Sequence, residues 1–460
     1  MTLQDLIDSV PNLVDYFYND TDAPHARAKP GASPVPLEFS NWREEQRAWR
    51  ETAVLFDQSH HMPELFLSGP DAFRLLNYLG INTFTKFVPG RAKQFVACNF
   101  EGQVIGECIL YYLAEDSFEL VSGMQLQDWV QFNAETGDWD VSVRRDLHTA
   151  ANPEGRTRYR FGLDGPHAAR IFAEIVEGEA PEIPFFRFQP VTIAGREVLA
   201  LRHGMAGHKG VELSGPAAEG PVVREAILKA GERHGLKQGG RAAYFSAQGE
   251  GGWMAYPLPA VYTDPKLADF RRWLPADCWA GCAQLAGSDY CADIEHYYMT
   301  PWDMGLGRNL KFDHDFVGRE ALEKRASEPH RAKRTLVWNT EDVDRIQSSI
   351  SEGGVPYRDL EFPVATSGFP QCDFVKTLDG KPVGRAGFSG YSANEAAMLS
   401  IASIDEGHAN IGEELLLTWG GPNASSRKPY VERHRQFDVR VTVGPTPYAK
   451  AAREARGKGL

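Results

Sequence analysis

Residues 93–123, KQFVACNFEGQVIGECILYYLAEDSFELVSG, contain three strand-length apolar pieces broken at Glu101-Gly102 and again at Glu115-Asp116. Breaks of that composition are turn chemistry, so the segment predicts an antiparallel meander. A helix-patterned stretch, LQDWVQFNAET, follows at once. Strand runs and helix runs interleaved this closely put the chain in the α+β class. The most apolar piece, residues 108–114, is only strand-sized and ends at Glu115. Nothing therefore approaches the ~20 apolar residues that cross a bilayer, and no membrane partner is expected.

The same alternation runs through the rest of the chain. Thr2 and Asp5 have the spacing of a capping box, and Leu3, Leu6, Ile7 and Val10 recur at helical intervals, so a short helix opens the chain and Pro11 limits it. Residues 21–36, TDAPHARAKPGASPVP, hold too little apolar content for a regular element and read as an arm or lid. Ser40 is placed to cap a helix through WREEQRAWRETA. VLFDQSHHMPELFLSG then reads as strand, turn, strand, and PDAFRLLNYLG as a helix begun by Pro70 and stopped by Gly80. Residues 158–213 repeat the mixture, which predicts two α+β lobes. From Thr335 to Pro447 short strands are punctuated by Gly, Pro, Asn and Asp, as in an all-β module. A boundary near Pro329 thus divides residues 1–329, the two lobes, from residues 330–460, a β-rich domain closed by a basic terminal helix.

With 49 Lys+Arg against 62 Asp+Glu, the net charge is −13. Affinity for a phosphate backbone comes from clustered positive charge, so nucleic acid is not an expected partner. Cys98, Cys108, Cys278, Cys282, Cys291 and Cys372 lack paired CxxC spacing, which indicates neither a disulfide framework nor a zinc knuckle. The opening MTLQDLIDSV carries Asp5 and Asp8 where a secretory signal would be basic and then apolar. A soluble protein of the cytoplasm is expected. There is no GxxxxGK[ST] loop, GxSxG elbow, HExxH or strand-to-helix GxGxxG. His60-His61 and Asp313-His314-Asp315 are the densest potential metal ligands, but strand neighbours point to opposite faces, so no metal is expected.

Five ordered segments, LFDQSHHM, GQVIGECILYYL, RHGMAGHKGVEL, DHDFVGREAL and SGYSANEAAMLSIASID, together resemble the tetrahydrofolate-dependent aminomethyltransferases, the glycine-cleavage T-protein group. EFSNWREEQRAWR, the doubled His60-His61, GGWMAYPLPAVYT and KFDHDFVGREAL are more similar to the branch of bacterial aryl-ether O-demethylases that act on lignin-derived aromatic acids. The resemblance implies a ring of two α+β lobes, one ferredoxin-like, plus a C-terminal β-barrel or jelly-roll-like domain. It also implies tetrahydrofolate as cofactor and a small methoxylated aromatic acid as substrate. Two other readings stand beside it: a folate-linked aminomethyltransferase or N-methyl amino acid demethylase, and a non-enzymatic folate-binding assembly factor. The assembly factor's K-G-C-x-x-G-Q-E segment is not present, since HKGVEL has neither its Cys nor its Gln.

Residue by residue, the resemblance assigns Glu212, at the end of RHGMAGHKGVE, to the pterin. A carboxylate suits that task because a reduced pterin presents a ring N–H and an exocyclic amine side by side. Gln94, Trp253 and Glu107 are the other implied cofactor contacts. Gly106-Glu107 departs from the family's paired Asp, which counts against the glycine-cleavage activity. Tyr244 is implied as donor to the leaving aryl oxygen, with His61 and His60 beside it as catalytic groups. Gln58, His61, Tyr244 and Arg202 are implied to line the substrate, with Arg27, Arg202 or His203 as partner of its carboxylate. Ala32 and Gly123 stand where vanillate-type enzymes carry bulkier residues, which leaves room for the second methoxy group of syringate.

Overall fold

Residues 54–69 read as strand, turn, strand, yet the two strands pair in different sheets. In a computed structural model, which describes residues 1–20, 34–205, 210–254, 257–365, 370–422 and 428–457, the stretch between them crosses from one lobe to the other. The strands of the lobes are β1 Ala53–Asp57, β2 Glu64–Ser68, β3 Arg91–Cys98, β4 Val104–Ala114, β5 Ser117–Val121 and β6 Ser142–Asp146. They continue as β7 Arg158–Asp164, β8 Phe188–Ile193, β9 Arg196–Leu201, β10 Gly210–Pro216 and β11 Leu236–Gly239.

One sheet runs β3-β4-β5-β2-β6 and is antiparallel throughout. The predicted meander is β3–β5, and the helix Met124–Thr136 follows it as expected. Around β2, the helix Ala72–Leu79, β4, β5, that second helix and β6, the sheet has the split β-α-β order of a ferredoxin-like lobe, with β3 added at the edge. The second sheet runs β11-β1-β7-β10-β9-β8. With β1 set aside it repeats the same order, using the helices Ala168–Ile175 and Gly220–Gly231. The stretch VTIAGREVLALRH within that repeat is a hairpin, β8–β9, whose two turn residues, Ala194 and Gly195, both have positive φ.

Period-two alternation decides what each sheet face meets. Leu65, Leu67, Phe95, Leu110, Phe118 and Leu120 bury one face of the first sheet under its helices. Leu55, Phe161, Leu163, Val211 and Leu213 do the same in the second. The remaining faces carry Tyr111, Val121, Val54, Phe56, Phe188 and Leu201, and these pack together with Tyr244 as a core between the lobes.

The C-terminal strands β12 Arg331–Trp338, β13 Asp373–Lys376, β14 Pro382–Ser392, β15 Ala397–Asp405, β16 Glu414–Trp419 and β17 Phe437–Gly444 close into a barrel, ordered β12-β15-β14-β13-β16-β17. Trp338 and Trp419 meet edge to face at 5.3 Å inside it. A helix, Thr340–Ser348, interrupts the all-β reading; Asn339 Oδ1 caps it by accepting from the Asp342 N–H.

Local corrections have local causes. Asn41, not Ser40, caps the helix Trp42–Glu51, because the Ser40 N–H and hydroxyl are taken by Glu45 Oε1. Ala32 and Arg27 lie outside the described residues, as does most of the arm. Gly123 does not open a pocket: its φ of +66° is left-handed, and an added Cβ would stand 2.2 Å from the Glu107 carbonyl oxygen. Gly106 is similarly closed, with Gln125 Cγ 2.9 Å from a built Cβ. The size argument for syringate therefore loses Gly123. Gly123→Ala should lower the unfolding free energy by about 1 to 3 kcal/mol, read by urea denaturation, and should leave the ratio of activities on singly and doubly methoxylated substrates unchanged.

Candidate active site

Where the lobes face each other, one row of cross-strand partners organises the second sheet. Gly239, Phe56, Gly162, Glu212, Leu201 and Phe188 lie side by side in register on β11, β1, β7, β10, β9 and β8. Gly162 leaves a gap in that row between Phe56 and Glu212. The amide of Gln58 occupies it, with Oε1 only 3.3 Å from where a Gly162 Cβ would stand. Backbone bonds fix the Gln58 segment: the Gln58 N–H donates to Arg160 O at 2.9 Å and the Arg160 N–H to Ser59 Oγ at 2.9 Å.

Arg160, 1% exposed, projects from the same face of β7 into the interface. Its Nη2 donates to Glu64 Oε1 at 2.7 Å and Glu119 Oε1 at 2.6 Å, both on the opposing sheet. Nη1 donates to Glu212 Oε1 and, at 2.9 Å, to Tyr111 Oη, and Tyr111 in turn donates to Glu212 Oε1 at 2.6 Å. Glu212 Oε2 accepts no hydrogen bond among the described residues. Burial works to raise the Glu212 pKa, but Arg160, His203 and the Tyr111 hydroxyl outweigh it and hold the carboxyl below its ordinary value. Glu119 goes the other way, raised by burial and by Glu64 against the pull of Arg160.

Tyr244 stands on the helix Arg241–Gly251, which two buried carboxylates anchor. Glu45 Oε2 accepts from the Gly240 N–H at its start, and Glu250 near its end accepts from Trp49, Arg50, Ser392 and Asn394. The Tyr244 ring meets Phe56 edge-on at 5.2 Å and His61 at 4.7 Å, and its Oη lies 3.4 Å from Gln58 Nε2. Gln58 Oε1 and His61 Nε2 are buried there without hydrogen-bond partners among the described residues, as is His203 Nδ1 near Glu212. Burial, with His60 and Arg156 nearby, pushes the His61 pKa down to about 4, so its ring is neutral at pH 7.

His60 has other partners: its Nδ1 meets Thr149 Oγ1 at 2.9 Å and its Nε2 lies 3.8 Å from Asp57. Arg202 has a half-buried guanidinium with no hydrogen bond or ion pair among the described residues. Burial lowers its pKa against the influence of Asp164.

Gln94, Glu107 and Trp253 come together in a separate cavity of about 490 Å³, also lined by Arg308, Lys333 and Arg334. Glu107 accepts from Gln94 Nε2 and from the Trp253 indole N–H, and Asn309 donates to Gln94 Oε1 at 3.1 Å. Trp253 is thus held by its edge, and its exposed part belongs to the cavity wall. Burial raises the Glu107 pKa against those donors and Lys333. Glu107 and Tyr111 share a face of β4 four residues apart, about 13 Å, so one strand floors both the cavity and the Glu212 group.

A buried carboxylate with an unused oxygen, held against Tyr111 of β4, and a polar cavity at Glu107, four residues along the same strand, are what an elongated cofactor with a hydrogen-bonding head would satisfy, so the residues fit tetrahydrofolate. Arg160, Tyr111, Glu64 and Glu119 were not foreseen; the signal available was RTRYR, where every second residue of a strand is Arg. The His61 titration has a stability consequence. Between the unfolded value of 6.5 and the folded value of about 4 the unfolded chain binds the extra proton, so stability is full above pH 6.5 and declines as pH falls towards 4. His61→Gln should flatten that decline, as measured by chemical denaturation at pH 7 and pH 5.

Residues 18–258 match the GCVT N-terminal domain. The chain is 46% identical over 453 residues to the syringate O-demethylase of Sphingobium sp. (strain NBRC 103272 / SYK-6), covering 98% of this chain and 97% of the relative. It is 30% identical over 430 residues to the sesamin methylene transferase of Sinomonas sp. (strain No.22), covering 90% of each. The crystal structure of glycine cleavage system aminomethyltransferase T from Bartonella henselae has a TM-score of 0.61 at 18% identity, covering 91% of this chain and 92% of its own, a likeness of fold. The match to the domain spans more than half of the chain, and the likeness to the demethylase extends from end to end: this protein belongs to the GCVT family.

Proposed function

We propose that the chain is a tetrahydrofolate-dependent aryl-ether O-demethylase. It moves a methyl group from a methoxylated aromatic acid, syringate first and 3-O-methylgallate or vanillate besides, to N5 of tetrahydrofolate, leaving a phenol. The observation that carries this reading is the 46% identity over 98% of the chain to a relative named for that reaction. When bound, tetrahydrofolate supplies N5 as the nucleophile. The methyl group would pass from the aryl oxygen to that nitrogen, with one proton lost there and one gained by the oxygen.

The roles of the side chains follow from their chemistry. Tyr244 donates to the leaving oxygen as negative charge develops there, which lowers the barrier more than it tightens ground-state binding. His61, neutral at working pH, and Gln58 offer their unpartnered atoms to the ring hydroxyl beside it. Arg202 takes the substrate carboxylate with its half-buried guanidinium, a bidentate match. Glu212 turns Oε2 to the pterin, while Gln94, Glu107 and Trp253 hold the part of the cofactor that lies in the cavity. His60 has no part in this set. All six cysteines are unbridged, which suits the cytoplasm. The aminomethyl-transfer alternative is disfavoured by Gly106, where an acidic side chain would collide with Gln125.

Incubation with syringate, 3-O-methylgallate and vanillate, with and without tetrahydrofolate, should give the demethylated phenol by mass only when the folate is present. Folate binding without turnover would instead point to the assembly-factor class. Tyr244→Phe should lower kcat by about 100-fold or more with little change in KM; a raised KM at unchanged kcat would make Tyr244 a substrate-binding group alone.

A further inference from the structure

Three carboxylates, Glu64, Glu119 and Glu212, converge on the one guanidinium of Arg160, and only Glu212 stands on the same sheet as Arg160. We propose that Arg160 is a positioning residue for cofactor binding: it holds Glu212 Oε1 so that the side chain stays ionised with Oε2 facing the pterin, and Glu64 and Glu119 compete for the same cation and limit that hold. The proposal rests on the reading of Glu212 given above.

The geometry supports a divided task. Arg160 gives Nη1 to Glu212 and Tyr111 and Nη2 to the two glutamates of the opposing sheet, so its fork is shared between cofactor side and lobe interface. Both opposing carboxylates are under-satisfied: Glu64 Oε2 and Glu119 Oε2 are buried without hydrogen-bond partners. Other cations stand further off, with Arg156 Nη2 at 3.4 Å from Glu64 Oε2 and Arg158 Nε at 4.0 Å from Glu119 Oε1. The groups facing Glu212 are Arg160 from β7, Tyr111 from β4 and His203 from the end of β9, with Glu119 and Glu64 behind the guanidinium on β5 and β2. Glu64, Glu119 and Glu212 share the close contacts of one guanidinium, with Arg156 a second, more distant cation for Glu64 and Arg158 for Glu119, so a change at one carboxylate alters the hold of Arg160 on the others. The burial is such that each group's charge depends on its neighbours more than on solvent.

A cluster that merely glued the lobes would behave differently from one that sets the charge of Glu212. The test is equilibrium binding of tetrahydrofolate as a function of pH, by calorimetry under anaerobic conditions, on Arg160→Gln, Arg160→Lys, Glu119→Gln and Glu212→Gln, with thermal unfolding of each. Arg160→Gln removes the cation, so the acid limb of binding should move up by about 1 to 3 pH units. Arg160→Lys keeps the charge but not the fork, so its limb should stay near that of the wild type while affinity falls roughly tenfold. Glu119→Gln can still accept from Arg160 and removes the competing charge wherever Glu119 is ionised, so its limb should move down or stay in place. Should Arg160→Gln not fold, an unmoved limb with lowered affinity in Arg160→Lys and the lack of an upward shift in Glu119→Gln carry the test. A lower unfolding temperature with an unmoved limb in Arg160→Gln, or a limb that moves up in Glu119→Gln, overturns the proposal. Wild-type folate affinity in Glu212→Gln would remove Glu212 itself, and with it the reading on which the proposal stands; loss of folate there beside an unmoved limb in Arg160→Gln removes the positioning role alone.

Discussion

A guanidinium withdrawn from water between two sheets, with carboxylates from both, is the contact on which the arrangement of the lobes depends. Transfer of such ions from water costs several kcal/mol each, and their attraction offsets that only where hydrogen bonds take up the fork. Arg160 meets this condition with four acceptors, Glu64, Glu119, Glu212 and Tyr111. The requirement is strict in distance, so β2 and β5 of one lobe must sit at a fixed spacing from β7 and β10 of the other. An apolar interface of the same area would hold the lobes together as well but would tolerate sliding. Here the apolar cluster around Tyr111, Phe56, Phe188 and Tyr244 supplies area, and the ion cluster supplies register.

Tyr244 depends on a second pair of buried acids. Glu45 binds the start of its helix and the preceding Phe39 and Ser40 N–H groups, so it joins the helix Trp42–Glu51 to the Tyr244 helix by direct bonds. Glu250 ties the far end to Trp49, Arg50 and the end of β14 through Ser392. Gly249 lets the helix approach Phe388 of the barrel, where a Cβ would already stand at 3.2 Å from that ring. The barrel thus fixes the Tyr244 helix from behind while the lobes fix the residues in front of it. This accounts for a C-terminal domain that contributes Lys333 and Arg334 to the cavity wall yet contributes to Tyr244 only through support.

Local pattern was legible in the sequence and partner choice was not. The meander, the capping box at Thr2 and Asp5, and the strands of the barrel follow from alternation and turn residues that act over a few positions. Residues 54–69 show the limit: both strands were readable, but nothing local says that β1 joins β11 and β7 while β2 joins β5 and β6. The same crossing turns His60 and His61 apart, which adjacency in sequence conceals. Gly123 failed for a related reason. A small residue reads as space, but at φ +66° it is required by backbone that no side chain could share with the Glu107 carbonyl. Glu212 was legible only through resemblance; the sequence around it marks a strand residue, and its value lies in a guanidinium some fifty positions earlier.

These two supports hold a charged group around Glu212 and an uncharged one around Tyr244. In the first a permanent cation keeps Glu212 charged, which suits a head group that offers N–H donors and must be oriented before reaction. In the second the groups near Tyr244 are neutral, since burial holds His61 uncharged and Gln58 has no charge to lose. On the proposed reading, the aryl oxygen therefore develops its charge beside a hydroxyl proton instead of beside a fixed imidazolium. A fixed cation there would stabilise the phenoxide product and the transition state alike, and the phenoxide would leave slowly. A hydroxyl donor strengthens its bond as charge appears and yields a neutral phenol once the proton has moved. On that reading charge is kept where the cofactor binds and withheld where the oxygen leaves, with Arg160 on β7 and Tyr244 on the helix Arg241–Gly251.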